Sequence, residues 1–154
     1  MSNTLVVSEV VEASRISFIL GIKSGFSAYN SENHNNNFTE YTTDAMIYLI
    51  QDFMDNHREL EDVSMTVTEV KGLYREEYGC PDGGEKLYKI TSMYNPFHGQ
   101  SKQDWYNTIM KYATALSEYF QQTACTVIIE NFGEGHPPLE CVYIKNEFDN
   151  RRML

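Results

Sequence analysis

Ile16, Phe18, Leu20 and Ile22 alternate along the chain with Ser17, Ile19, Gly21 and Lys23. A period of two predicts a strand with one apolar face; its other face is mixed. Further on, Met46, Leu49, Ile50, Phe53 and Met54 recur at helical spacing. Thr42 or Thr43 supplies an N-cap hydroxyl, Asp44 sits where the helix dipole favours a carboxylate, and the pattern fades near Asn56. The run "SMTVTEVKGLYREEY" (64–78) is rich in β-branched residues and predicts a second strand, with Gly72 marking a bulge or bend. "GCPDGG" (79–84) is a turn, because proline fixes φ and glycine permits positive φ. "EKLYKITSMYN" (85–95) is then the returning strand of a hairpin.

Trp105, Ile109, Tyr112, Leu116 and Phe120 are spaced four, three, four and four, which places them on one stripe of a long helix. Ser101 is its N-cap, and Asp104 resembles a capping-box partner. Two more strands follow, "ACTVIIEN" (124–131) and "LECVYIKN" (139–146), separated by "FGEGHPP". The first six elements run βαββαβ, the split arrangement of ferredoxin-like folds. The expected fold is therefore α+β, a single domain with an extra C-terminal strand and helices on one face of a mainly antiparallel sheet. The crossover rule sets the first and third strands side by side at its centre. Residues 1–13 are expected to form an arm or edge strand, 14–146 the domain, and 147–154 a frayed tail. One connection stands out: Gly25 to Tyr41 spans 17 residues, including "NHNNN", where α/β units use about 2–6. Such a loop is either functional or a spacer.

Composition narrows the function. Aromatics are 13% of the chain, with eleven tyrosines to one tryptophan, and tyrosine suits half-buried surfaces and interfaces. The formal net charge is −10, which disfavours direct binding to nucleic acid or anionic membrane and favours a partner with a basic face. No stretch has the ~20 apolar residues that span a bilayer, and the N-terminus lacks a basic, apolar leader, so a cytoplasmic site in a cell or infected host cell is expected. Cys80, Cys125 and Cys141 show no pairing pattern. With the last turn centred near Gly135, Ile129 faces Cys141, and Cys125 and Cys141 are both small core residues.

Catalytic motifs are not evident. No two of His34, His57, His98 and His136 have helical i, i+4 spacing, and no CxxC occurs, so no metal or cofactor is expected. "FHGQSKQ" (97–103) sets a glycine, a serine cap and a lysine at a helix N-terminus, where an anion is favoured. Glu76 and Glu77 are adjacent and read as solubilising charges. The leading expectation is a non-enzymatic acidic binding protein that blocks or sequesters a basic nucleic-acid-handling protein, in the manner of a viral or mobile-element inhibitor. It would act through Asp52, Asp55, Glu59, Glu61 and Asp62, with Tyr29 and Tyr41. The alternative is an oligomeric binder of an anionic small ligand such as a nucleotide signal, held by His98, Ser101, Lys102 and Arg75. A small dimeric ferredoxin-like enzyme ranks third. The second face of the sheet is too apolar to be left free and too polar for a core, so a homo-oligomer sharing it is expected.

Overall fold

The computed structural model describes residues 13–21, 23–24, 39–78, 80, 82–122 and 124–146. The principal strands are β1 (Arg15–Gly21), β4 (Thr66–Gly72), β5 (Glu85–Met93), β6 (Ala124–Glu130) and β7 (Leu139–Lys145). They form one sheet in the order β4-β5-β1-β6-β7, antiparallel throughout. Two helices, α1 (Thr43–Asn56) and α2 (Lys102–Tyr119), cover one face. The expected ferredoxin-like α+β layout is thus observed, with β1 and β5 adjacent and the additional strand at an edge.

The patterns read from the chain are the ones buried. Ile16, Phe18 and Leu20 face the helices and are at most 1% exposed. From α1 come Met46, Ile50 and Phe53, and from α2 the stripe Trp105, Ile109, Tyr112 and Leu116, continued by Phe120. Thr42 Oγ1 accepts from Ala45 N at 3.2 Å, and Ser101 Oγ from Asp104 N at 3.0 Å, so both predicted caps form. Gly72 lies in regular register with Glu85 at the end of β4. A Cβ there would meet Leu87 at 2.8 Å, so the glycine admits a close side chain and makes no bulge.

The long connection begins and ends on a closed stem. Two-residue strands β2 (Lys23–Ser24) and β3 (Thr39–Glu40) pair antiparallel, Lys23 against Glu40. The asparagine run and Tyr29 lie outside the described residues, as do residues 1–12 of the expected arm 1–13 and the whole of the expected tail 147–154.

The last hairpin corrects one expectation. Ile128, not Ile129, stands opposite Cys141. A slip of one residue moves a side chain to the other face. Cys125 therefore sits in the core, where burial pushes its thiol pKa up to about 12, while Cys141 is exposed on the helix-free face.

Candidate functional site

Among the places in the described residues that set charge beside concavity or exposed apolar surface, two bear on the site. The first is a cleft of about 660 Å³ between the 61–64 segment, the end of β5 and the N-terminus of α2. Glu61, Asp62 and Asp104 give it an acidic wall, and Trp105 lies in its floor. Much of its polar lining is already committed. Gln100 Nε2 donates to Glu61 at 2.7 Å, and Asn95 Oδ1 accepts from Phe97 N at 2.9 Å. Trp105 Nε1 donates to Ser92 Oγ at 3.0 Å, and that hydroxyl donates to Ser64 O at 2.9 Å.

The second place is the far end of the β4–β5 hairpin. After Gly72 the chain turns out through Leu73 and Tyr74 into a single 3₁₀ turn, Glu76–Tyr78. It returns through Gly83 and Gly84, both at positive φ, into Glu85. Gly84 is required: a Cβ would stand 3.0 Å from both Gly72 O and Leu73 Cδ2. This tight return brings Glu85 to the Tyr74 phenol. Partial burial first, then the charge of Glu85 and the hydrogen bond to it, raise the Tyr74 pKa, so the phenol stays protonated and donates. Leu73, next to Tyr74 in the chain, is 80% exposed, and Tyr78, at the end of the 3₁₀ turn, is 74% exposed. A carboxylate held beside a tyrosine ring and bare apolar surface suits a ligand that is part cation and part flat aromatic.

The sequence model of the SAM lyase family matches residues 18–133, from β1 past the end of β6. The chain belongs to the SAM lyase family. Two solved structures share its fold. A phage SAM lyase in complex with S-methyl-5′-thioadenosine is 16% identical, with 92% of this chain and 98% of that chain covered and a TM-score of 0.54. A phage SAM lyase in the apo state is also 16% identical, with 93% and 98% covered and a TM-score of 0.55. At that identity the likeness is one of fold. No curated protein matches the sequence.

Membership of the SAM lyase family overturns the leading expectation from composition. The family is one of enzymes, so the non-enzymatic inhibitor of a basic protein is set aside, along with its description as an acidic binding protein. Acidic charge signals a cationic partner without distinguishing a protein from a small molecule. The carboxylates chosen for that role are nonetheless grouped by the fold. Asp52 and Asp55 are exposed on α1, with Glu59, Glu61 and Asp62 beyond its end. Burial first, then the charges of Asp62, Glu59 and Asp55, raise the pKa of the nearby Tyr112 phenol. Tyr41 packs inward, edge-on to Phe120 at 5.2 Å, and its carbonyl accepts from Tyr88 at 3.2 Å.

The four residues expected to hold an anion are not gathered at one point. His98 lines the acidic cleft and Ser101 caps α2. Lys102 Nζ donates to Phe132 O at 2.8 Å, which ties α2 to the β6–β7 connection. Arg75 lies beyond the opposite end of β5, on the order of 30 Å away at ~3.3 Å per residue, and faces Glu77 at 3.6 Å. Lys102→Met keeps the aliphatic stem but loses the bond, and is expected to cost about 1–2 kcal/mol, read as a lower urea midpoint at unchanged slope. Tyr74 and Glu85 were missed by sequence reasoning. They are eleven positions apart, and only the hairpin register joins them.

Proposed function

We propose that this chain cleaves S-adenosylmethionine and releases S-methyl-5′-thioadenosine. The observation that carries the reading is the family match over residues 18–133. Charge supports it: the substrate's sulfonium and ammonium outweigh its carboxylate, and a chain of net charge −10 draws in a cation. The expectation of a small ligand is kept, with the sign of its net charge reversed. The place of action is inside the cell, where this substrate is made; among the described residues no helix is long and apolar enough to cross a membrane.

In the proposed step the bond from sulfur to Cγ breaks and both electrons remain on sulfur, giving a neutral thioether. The substrate's own carboxylate oxygen closes on Cγ, forming a five-membered lactone. No proton, water or protein nucleophile enters the balance. An internal displacement also has its reactants held close already. A positive and a negative charge cancel as the reaction proceeds, so apolar surroundings favour the transition state, while several carboxylates around the sulfonium would stabilise the ground state instead.

That contrast favours the Tyr74–Glu85 corner over the cleft walled by Glu61, Asp62 and Asp104. In this reading Glu85 holds the substrate ammonium, and the rings of Tyr74 and Tyr78 cover the adenine and the sulfonium. Incubating the purified protein with S-adenosylmethionine and resolving the products by mass spectrometry tests the reaction. Methylthioadenosine with the amino lactone is the expected pair. Methylthioadenosine with an unsaturated amino acid would replace the displacement by an elimination, and unchanged substrate would sink the reading.

A further inference from the structure

Glu69 stands opposite Tyr88 in the β4–β5 register, on the face of the sheet that carries the helices. Its carboxylate joins three elements. Oε1 accepts from the hydroxyl of Thr43, the first residue of α1, at 3.1 Å, and lies 3.3 Å from Lys86 Nζ of β5. Thr43 Oγ1 is also 3.3 Å from the hydroxyl of the buried Tyr88. The dipole of α1 favours a carboxylate at this end. The hydrogen bond from Lys86 is the largest effect on the Glu69 pKa and lowers it, against partial burial and together with Thr43 and the charges of Lys86 and Lys71, so the group is ionised at neutral pH.

Lys71 and Lys86 are directly opposed on this same face, and like charges placed opposite each other destabilise a strand pair. Among the described residues, no carboxylate besides Glu69 lies within ion-pair distance of either lysine. The rung beyond the lysines pairs Gly72 with Glu85, and Gly72 leads through Leu73 to Tyr74. We propose that Glu69 is a positioning residue for the reaction: by offsetting the two opposed lysines it keeps the end of the β4–β5 pair closed and holds Glu85 beside Tyr74. This role rests on the reading of the Tyr74–Glu85 corner as the site.

The side chains of Lys86 and Glu69 are 38% and 39% exposed, so their pairing by itself contributes little to stability. What the site stands to lose is position. A Cβ on Gly84 would stand 3.4 Å from Lys71 Cβ and 3.0 Å from Gly72 O, so the end of β4 and the returning turn are packed without slack. A shift of Lys71 away from Lys86 is therefore passed on to Gly72 and to the turn that aims Glu85. A misplacement of ~1 Å is enough to weaken an oriented contact with substrate.

Glu69→Gln tests the role, because it keeps an acceptor for Thr43 and removes the charge. It is expected to raise KM for S-adenosylmethionine about fivefold and to change kcat less than about twofold, since Glu85 anchors the substrate equally in ground and transition states. Hydrogen exchange at neutral pH should quicken at the amides of residues 70–72 and 85–87, at unchanged circular dichroism, and stay as in wild type at the far end of the pair, residues 66–67 and 90–91. Adding Lys71→Gln relieves the opposed charges and is expected to reverse both effects. A wild-type KM in Glu69→Gln beside a raised KM in Glu85→Gln would overturn the role of Glu69 and leave the site standing. A loss that Lys71→Gln fails to reverse would overturn it as well, since Glu69 would then act through folding or direct contact. Unchanged KM in both Glu69→Gln and Glu85→Gln would remove the corner as the site, and this role with it, whatever the exchange shows.

Discussion

Replacing Glu85 by glutamine is expected to lower kcat/KM for S-adenosylmethionine by about 100-fold, the loss of one charge-assisted contact worth about 2–3 kcal/mol. The structural cost should be small. Glu85 is half-buried at a hairpin end, and glutamine still accepts from Tyr74. The loss should fall mainly on KM, because an ammonium anchored equally in ground and transition states contributes uniform binding. Tyr74→Phe removes the phenol donor and leaves the ring, so a smaller drop of roughly tenfold is expected. The comparison that decides between the two candidate places is Asp104→Asn. If the corner is the site, this cleft variant turns over substrate at the wild-type rate. A large loss in Asp104→Asn beside an unaffected Glu85→Gln would move the site to the cleft and leave the reaction itself standing.

Trp105→Ala is expected to destabilise the fold by about 3–5 kcal/mol, the range for removing a large buried aromatic. Trp105 is 2% exposed and packs against Tyr94 with ring centroids 5.4 Å apart. Its indole N–H also anchors a relay, donating to Ser92, which donates to the Ser64 carbonyl. That relay ties α2 and β5 to the segment before β4. Trp105→Phe separates the two contributions. It retains most of the packing, leaves Ser92 Oγ without its donor, and should cost about 1–2 kcal/mol from the lost bond. Urea unfolding followed by far-ultraviolet circular dichroism reads both. A cost for Trp105→Ala no larger than that of Trp105→Phe would show that packing at this site contributes little.

The last hairpin shows where local reading stops. Both strands were placed correctly, yet moving the pairing from Ile129 to Ile128 put Cys141 on the opposite face. The turn 132–138 has two glycines and two prolines, and its composition does not determine how many residues it absorbs. The proposed site was hidden for a related reason. Glu85 in "GGEKLYKI" resembles any strand-end carboxylate until Gly83 and Gly84 fold it back to Tyr74. Function was misread through charge. A net charge of −10 calls for a cation, and a basic protein and a sulfonium nucleoside satisfy the same field.

Periodicity along the chain was sufficient for the two helices and five principal strands, their order, and the buried sides of β1, α1 and α2, because helix and strand each repeat their apolar positions at a spacing set by backbone geometry. The caps at Thr42 and Ser101 were equally local, since each hydroxyl serves an N–H three residues on. What needed the folded chain was every relation across a turn or between layers: the register that exposes Cys141, the bond from Lys102 to Phe132 O, and the meeting of Tyr74 with Glu85. Those depend on how distant segments align in space, and no repeat along the sequence encodes that distance.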